Sequence, residues 1–175
     1  KEICDCKEKS MLLSLHLKAS MMKVSDPIIF GHVLKVFFKN FIEKNSTTLE
    51  KINVNFNSGL SNLFEKINQL DNPTKEKLVN EIELDIENGP DLAMVNSEKN
   101  ITNFHIPSDV IIDASMPAMI KSSGKMWNKN GELRDTKSII PYSSYSSIYQ
   151  ATIDFCKENG QFDPAVMGTV QNVGL

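Results

Sequence analysis

Residues 13–42 read LSLHLKASMMKVSDPIIFGHVLKVFFKNFI and decide the fold class. At their start leucine alternates with Ser14 and His16, which predicts a β-strand with one buried face. The SDP triplet at 25–27 then marks a helix start, because Ser caps well and Pro suits the first turn. Apolar residues follow at three- and four-residue spacing and predict one amphipathic helix; they are Phe30, Val33, Leu34, Phe37, Phe38, Phe41 and Ile42. A strand followed by such a helix is typical of an α/β fold.

The remaining chain continues to mix strands and helices. Two helices, around 60–67 and from 73 to 89, lie in a polar, Asn- and Lys-rich stretch from about 44 to 90, which we interpret as a peripheral helical insertion. Turn residues and apolar patterning predict the later elements. These are strands at 92–95 and 101–106, a hairpin over 125–135 around Asn130-Gly131, and a helix over 144–158 that has Ile148 on its inward face and stops at Gly160. We therefore predict an α/β fold with a mixed sheet and flanking helices.

Composition bounds the functional class. The chain has 175 residues, 41% of them hydrophobic and 23% charged, which suits one globular domain. Its net charge of −3 argues against a general nucleic-acid binder or a polybasic membrane-surface protein. No apolar run reaches 18 residues, so no membrane span is predicted.

Charge and cysteine usage add two expectations. Arg134 is the only arginine, so a polyanionic substrate would need most of its contacts from outside these residues. The three cysteines, Cys4, Cys6 and Cys156, form no C-x₂-C pair, which favours a reducing compartment, the cytoplasm by default.

Asp109 and Asp113 form the most suggestive pair of acidic residues. Their four-residue spacing puts both on one side of a helix or of a strand. Ser108 is a good N-cap, and we favour a short helix here despite Pro117. Two carboxylates on one side suit a hard divalent cation such as Mg²⁺ or Mn²⁺. The alternative is a capping aspartate beside a solvated one, with no ligand.

Other single residues admit the same two interpretations. Lys18 falls at the carboxyl end of the first predicted strand, where α/β folds bind ligands, or it is an ordinary exposed lysine. We interpret His16, His32 and His105 as structural, because no second ligand is suitably spaced. The sequence contains no G-x-G-x-x-G, G-x₄-G-K-[ST], H-E-x-x-H or G-x-S-x-G motif.

Several runs closely resemble the monomeric NADP-dependent isocitrate dehydrogenases of bacteria. The resemblance covers nearly the whole chain except about 44–88. The runs are SLHLKASMMKVSDPIIFGH at 14–32, GPDLAMVNS at 89–97, IPSDVIIDASMPAMI at 106–120, SSYSSIY at 143–149, FDP at 162–164 and NVGL at 172–175. The resemblance implies that the chain is an internal fragment of the family's large domain.

The resemblance also assigns roles to residues. Lys18, in His-Leu-Lys, matches the family lysine that handles protons during catalysis. Asp113 matches a carboxylate ligand of the divalent metal, and Asp109 matches its acidic neighbour, which acts through a metal-bound water. Ser20 departs from the family's usual Thr but keeps the hydroxyl. The substrate-binding arginine cluster, the NADP site and a catalytic tyrosine are implied to lie outside these residues.

The expected function is thus part of an NADP-dependent isocitrate dehydrogenase, which oxidatively decarboxylates isocitrate to 2-oxoglutarate with Mg²⁺ or Mn²⁺. The expected partners are isocitrate and the rest of the parent chain, with no nucleic acid and no membrane. Apolar surface that normally packs on the missing parts favours self-association of the fragment. The alternative is a non-catalytic α/β binding or packing module, inactive on its own.

Overall fold

The computed structural model describes residues 1–17, 25–105, 112–141, 143–163 and 165, except the side chains of 112–114 and 143–145. The chain divides into two compact units, Lys1–Ile139 and Ile140–Leu175. None of the described helices is both long and apolar enough to cross a membrane.

The first unit alternates helices and short strands. In chain order they are α1 (Glu2–Glu8), β1 (Leu12–Leu15), α2 (Asp26–Phe37), α3 (Lys39–Lys51), a 3₁₀ turn (Phe56–Ser58), α4 (Gly59–Ile67), α5 (Asn72–Asn88), β2 (Met94–Asn96), β3 (Ile101–Thr102), α6 (Ile112–Lys121), β4 (Lys125–Trp127) and β5 (Leu133–Ile139). The predicted α/β class is confirmed.

The main sheet is mixed, with strand order β1-β5-β4. Strand β1 runs parallel to β5, with Leu12 opposite Thr136 and Leu15 opposite Ile139. Strand β4 runs antiparallel to β5, as the predicted hairpin requires. On the other edge of β1, the Leu13 N–H donates to the Asp91 carbonyl at 2.8 Å and the Leu13 carbonyl accepts from the Ala93 N–H at 2.9 Å. The backbone of β1 is therefore bonded on both edges.

Both faces of β1 are buried, which corrects the prediction of one buried face. Leu13 and Leu15 join the main hydrophobic cluster. Ser14 and His16, on the other face, are only 0% and 1% exposed. The face of Ser14 and His16 also carries the fully buried Leu12, so polar side chains along a strand do not by themselves mark a solvent-exposed face.

The helix predicted over about 26–42 is two helices. Its apolar periodicity crosses a break at Phe38, whose backbone (φ −97°, ψ 29°) is not helical. Phe38 is fully buried, and its ring lies 4.8 Å from that of Phe37. Because α2 and α3 bury residues in the same hydrophobic cluster, the apolar spacing continues across the break between the two helices. Gly31, in the middle of α2, lets the 3₁₀ turn approach closely, because a Cβ there would lie 1.9 Å from Asn57 Oδ1.

The stretch from 44 to 90 is helical as predicted, but it is not peripheral. Its apolar side chains belong to the same cluster as Leu13 and Phe30. The fully or nearly buried ones are Leu49, Phe56, Leu60, Leu63, Ile67, Leu78 and Ile82. The polar composition misled because Asn and Lys occupy the outer faces of helices whose inner faces are apolar.

Two further elements differ in detail from the prediction. The strand predicted over 101–106 ends at Thr102, where the chain turns and the Thr102 N–H donates to His105 Nδ1 at 3.0 Å. In the hairpin loop Gly131 adopts a positive φ of 76°, whereas Asn130 does not. The Gly131 N–H donates to the Asn128 carbonyl at 3.0 Å. One left-handed glycine is therefore enough to reverse the chain.

The second unit contains α7 (Ser143–Asn159), close to the predicted bounds. Gly160 follows with φ 84°, and its N–H donates to the Cys156 carbonyl at 2.9 Å, which confirms the predicted stop. Ile148, predicted to face inward, is 61% exposed. The rings of Phe155 and Phe162 stack at 5.3 Å, yet both side chains remain nearly half exposed.

Candidate functional site

A buried imidazole at the end of β1 joins this strand to α6. His16 Nδ1 lies 2.7 Å from the Ser115 hydroxyl oxygen, 99 residues along the chain. Its Nε2 lies 3.0 Å from the Ser14 hydroxyl oxygen. Both ring nitrogens therefore have hydroxyl partners, and a hydroxyl can either donate or accept. The interpretation of His16 as a satisfied structural histidine is confirmed.

The side-chain amide of Asn103 hydrogen-bonds to the backbone of β1 at Leu15, next to His16. Asn103 Nδ2 donates to the Leu15 carbonyl at 2.8 Å, and Asn103 Oδ1 accepts from the Leu15 N–H. Asn103 itself is nearly buried, and its own N–H donates to the Ala93 carbonyl at 2.8 Å. The amide thus replaces a neighbouring strand and leaves the Leu15 backbone satisfied.

Burial keeps His16 neutral. Desolvation lowers the pKa of His16 to about 4 from an ordinary value of 6.5. At neutral pH one ring nitrogen therefore donates and the other accepts. The ring offers α6 a directional hydrogen bond without adding a positive charge.

The lowered pKa predicts an acid-sensitive fold. The unfolded chain takes up a proton at His16 near pH 6.5, whereas the folded chain does so only near pH 4. Because the unfolded state binds more protons between these values, we expect the free energy of unfolding to fall over that range as the pH falls. His16 should contribute roughly 3 kcal/mol of the loss, from the conversion of a pKa shift into free energy. Urea titrations of the chain at pH 7, 6, 5 and 4 measure this.

The control for this prediction is His16→Asn, which removes the titrating ring. Burial also lowers the pKa of His105, so the wild-type chain alone does not isolate His16. The variant should be less stable at pH 7 but lose less stability between pH 6.5 and 4. Parallel curves for the two proteins would refute the assignment.

Most of the residues predicted for the site lie outside the part of the chain that the structure describes. Lys18 and Asp109 both lie outside the described residues. Asp113 lies on α6, where its backbone alone is described, so the predicted helix is confirmed from Ile112 onward. Pro117 lies inside that helix, as the sequence interpretation allowed.

The described histidines and cysteines do not form a metal cluster. No group of three or more His, Cys, Asp or Glu side chains in the described part of the chain could hold a metal ion. The three cysteines form no disulfide. Burial raises the pKa of the Cys6 thiol, and this thiol donates to the Met11 carbonyl at 3.1 Å. His105 bonds to Thr102 and stacks on Phe64 at 5.6 Å, so it too is structural. His32 is exposed on α2.

The family is decided by a match that covers the whole chain. The sequence profile of monomeric isocitrate dehydrogenase matches residues 1–175. This chain belongs to the monomeric isocitrate dehydrogenase family. The family assignment made from the sequence runs is therefore confirmed. The match includes β1 with its end at His16, the helix that carries Asp113, and the stretch from 44 to 90.

Named relatives agree with this family. "Isocitrate dehydrogenase [NADP] 2" of Psychrobacter sp. (strain 13A) is 49% identical over 175 residues, which are 100% of this chain and 24% of that protein. The protein of the same name from Mycobacterium tuberculosis is 49% identical over 183 residues, 100% of this chain and 25% of its own. "Isocitrate dehydrogenase [NADP]" of Corynebacterium efficiens is 52% identical over 169 residues, 97% and 23% respectively. The chain spans about a quarter of the length of these relatives.

Two residues at this site, Ser115 and Asn103, were not predicted from the sequence. The polar residues Ser14 and His16 within an otherwise apolar strand were the available signal, because buried polar groups need partners. The pattern contained no indication of which distant residues those partners would be.

Proposed function

We propose that this chain is part of an NADP-dependent isocitrate dehydrogenase that converts isocitrate to 2-oxoglutarate and CO₂. The observation that carries the proposal is the family match over all 175 residues, with about half of the positions identical to relatives of that name. Residues 1–175 would form a piece of the large α/β domain, with a variable helical insertion at about 44–90. The remainder of a longer chain would supply the NADP site and the arginine cluster.

Lys18 is the proposed proton-transfer residue. Oxidation of the secondary alcohol of isocitrate passes a hydride to NADP⁺ and releases the hydroxyl proton, which a base must accept. Loss of CO₂ from the β-keto acid then leaves an enolate that must gain a proton. The Lys18 amine would suit this exchange, because a divalent cation bound nearby would disfavour the ammonium form of a lysine side chain.

Asp113 is the proposed metal-ligating residue, with Asp109 acting through water. Carboxylate oxygens suit Mg²⁺ and Mn²⁺, which when bound supply charge stabilisation for substrate oxygens. The described surroundings of α6 fit a cation. His16 contacts this helix at Ser115, which lies two residues after Asp113. Burial keeps the His16 imidazole uncharged. An imidazolium there would instead repel the metal.

A hydrogen bond supports the pairing of Lys18 with Asp113. His16 lies two residues before Lys18, and Ser115 lies two residues after Asp113, so the 2.7 Å contact joins the two segments that carry the proposed residues. Two residues of extended chain span at most about 7 Å, and two residues of helix rise about 3 Å. The two proposed functional residues thus belong to segments that meet in the fold.

The test of the metal role is Asp113→Asn in the full-length enzyme. A neutral amide loses the charge attraction that holds a hard cation, so we expect Mn²⁺ and Mg²⁺ binding to weaken by roughly 10-fold or more. The measurement is the metal concentration at half-maximal activity, together with Mn²⁺ binding by calorimetry.

Two matched aspartates serve as controls. Asp109→Asn should weaken metal binding less, since this residue is proposed to act through a water molecule. Asp154→Asn alters a carboxylate on α7 that accepts from Gln150, and it should leave metal binding unchanged. Equal midpoints for wild type and Asp113→Asn would exclude the metal role.

Localisation and association complete the proposal. We place the enzyme in the cytoplasm, consistent with three free cysteines. Self-association of the isolated 175-residue chain is supported by an open groove of about 330 Å³ in the first unit. It is lined by five apolar residues, Ile3, Ile29, Val33, Val36 and Ile139, and by Lys1, Glu2 and His32. Val36 is 65% exposed there. Apolar surface of this kind favours contact with another protein surface.

A further inference from the structure

The contact between the end of β1 and α6 joins a buried imidazole to a half-buried hydroxyl. An apolar side chain at His16 would also fill the space, but it would not define how far α6 slides along the strand. A hydrogen bond of 2.7 Å does define it, because its strength falls steeply with distance and angle. The second ring nitrogen is bonded to Ser14, so the ring itself is held in one orientation.

We propose that His16, through Ser115, is a positioning residue that sets the separation of Lys18 and Asp113. This inference rests on the proposed function. The imidazole directly follows β1 and lies two residues before Lys18 in the sequence, and the serine lies on α6, two residues after Asp113. The hydrogen bond would therefore determine whether the Lys18 amine and the Asp113 carboxylate can act on the same substrate molecule. Groups that hydrogen-bond directly to metal ligands affect metal affinity or activity by about 10- to 100-fold, and we expect an effect of at most that size from a contact two residues away.

A second contact between the sheet and α6 provides a matched control. The Ser138 hydroxyl donates to Met119 Sδ at 2.8 Å, again between the sheet and this helix. Met119 lies six residues after Asp113, whereas Ser115 lies only two residues after it. Loss of the Ser138 contact removes a tie of the same kind at the more distant part of the helix.

The experiment uses the full-length enzyme with Ser115→Ala, Ser115→Thr and Ser138→Ala. We expect Ser115→Ala to lower kcat by about 10- to 100-fold and to raise the Kd for Mn²⁺, measured by calorimetry without substrate, by about 10-fold. The KM for NADP should not change, because the NADP site is proposed to lie elsewhere. Ser115→Thr keeps the hydroxyl and should recover most of both losses. Ser138→Ala should leave kcat and the Kd for Mn²⁺ near wild type.

His16→Leu provides the same test from the strand side. Where it folds, it should lose at least as much kcat and Mn²⁺ affinity as Ser115→Ala, because it removes the bond to Ser115 and also the bond to Ser14. Adding Ser115→Ala to His16→Leu should then change little, since the His16–Ser115 bond is already absent. If His16→Leu fails to fold, Ser115→Ala still tests the contact, because its side chain is at the partly buried end of the bond.

Two results would overturn the positioning role. One is wild-type kcat and Mn²⁺ affinity in a folded Ser115→Ala enzyme; the other is an equal loss in Ser138→Ala, which would indicate general loosening of α6. Lys18→Met and Asp113→Asn in the same assays separate this inference from the proposed function. If they impair the enzyme while Ser115→Ala does not, the positioning role fails and the proposed function stands. If neither impairs it, both fail.

Discussion

Replacing Lys18 by methionine in the full-length enzyme should lower kcat by roughly 10² to 10⁴, the range for loss of a general acid or base. Methionine keeps the length of the side chain but cannot accept or donate a proton. The hydroxyl proton of isocitrate would then have to leave through water, and the enolate would have to gain its proton from water. Metal and NADP binding should be largely intact, so the loss should appear in kcat and not in binding constants.

Steady-state kinetics with saturating metal and NADP measure this effect. Lys35→Met is a matched control, because Lys35 is an exposed lysine on α2. It should retain wild-type kcat. A Lys18→Met enzyme with near wild-type kcat would show that the proton-transfer role belongs to another residue.

The isolated 175-residue chain should show no isocitrate oxidation at any metal or NADP concentration. Dinucleotide sites usually place phosphates on glycine-bearing turns at helix N-termini, and the sequence has no G-x-G-x-x-G motif. A tricarboxylate needs several positive contacts, each charge-assisted bond contributing about 1.5 to 3 kcal/mol. The single arginine, Arg134, already donates to the Ser10 carbonyl at 2.8 Å. The isolated chain would thus supply the proposed Lys18 and Asp113 without the arginine cluster and the NADP site proposed for the rest of the enzyme.

The measurement is NADPH formation by the purified chain, with Lys18→Met of the same chain as a control for contaminating host enzyme. Equal background rates in both preparations are expected. Turnover that is present in the wild-type chain and absent in the variant would show that these residues suffice for catalysis. That result would contradict the proposed need for a longer chain.

Local patterns predicted those elements whose signals are short-range. The start of α2 beside Pro27, the hairpin around Gly131 and the end of α7 before Gly160 all follow from proline or glycine residues within a few positions, although the predicted cap at Ser25 forms no side-chain cap hydrogen bond. The break at Phe38 was missed because both helices bury apolar residues in one cluster, so the spacing continues through the break. The role of the stretch from 44 to 90 in the core was missed for a similar reason. Composition averages over helix faces, whereas burial depends on each face separately.

The features of the candidate site were likewise predicted only in part from the sequence. The SLHLK run and the spacing of Asp109 and Asp113 were evident from the sequence. The runs that resemble the family led to the family assignment, which the match over residues 1–175 confirms. The roles of Lys18, Asp109 and Asp113 stay predictions. Ser115 and Asn103 carried no signal of their own, since a serine and an asparagine are ordinary residues until a buried partner is known.

The sequence by itself determined the α/β class, the approximate positions of most elements and the family. These properties depend on periodicity, turn residues and runs of identity, which are all contained within short segments of chain. Only the tertiary structure decided that Ser14 and His16 are buried, that His16 bonds to Ser115 and that Ile148 stays exposed. The physical reason is that a pattern identifies which face of an element prefers burial, whereas the covering layer comes from residues as much as 99 positions away.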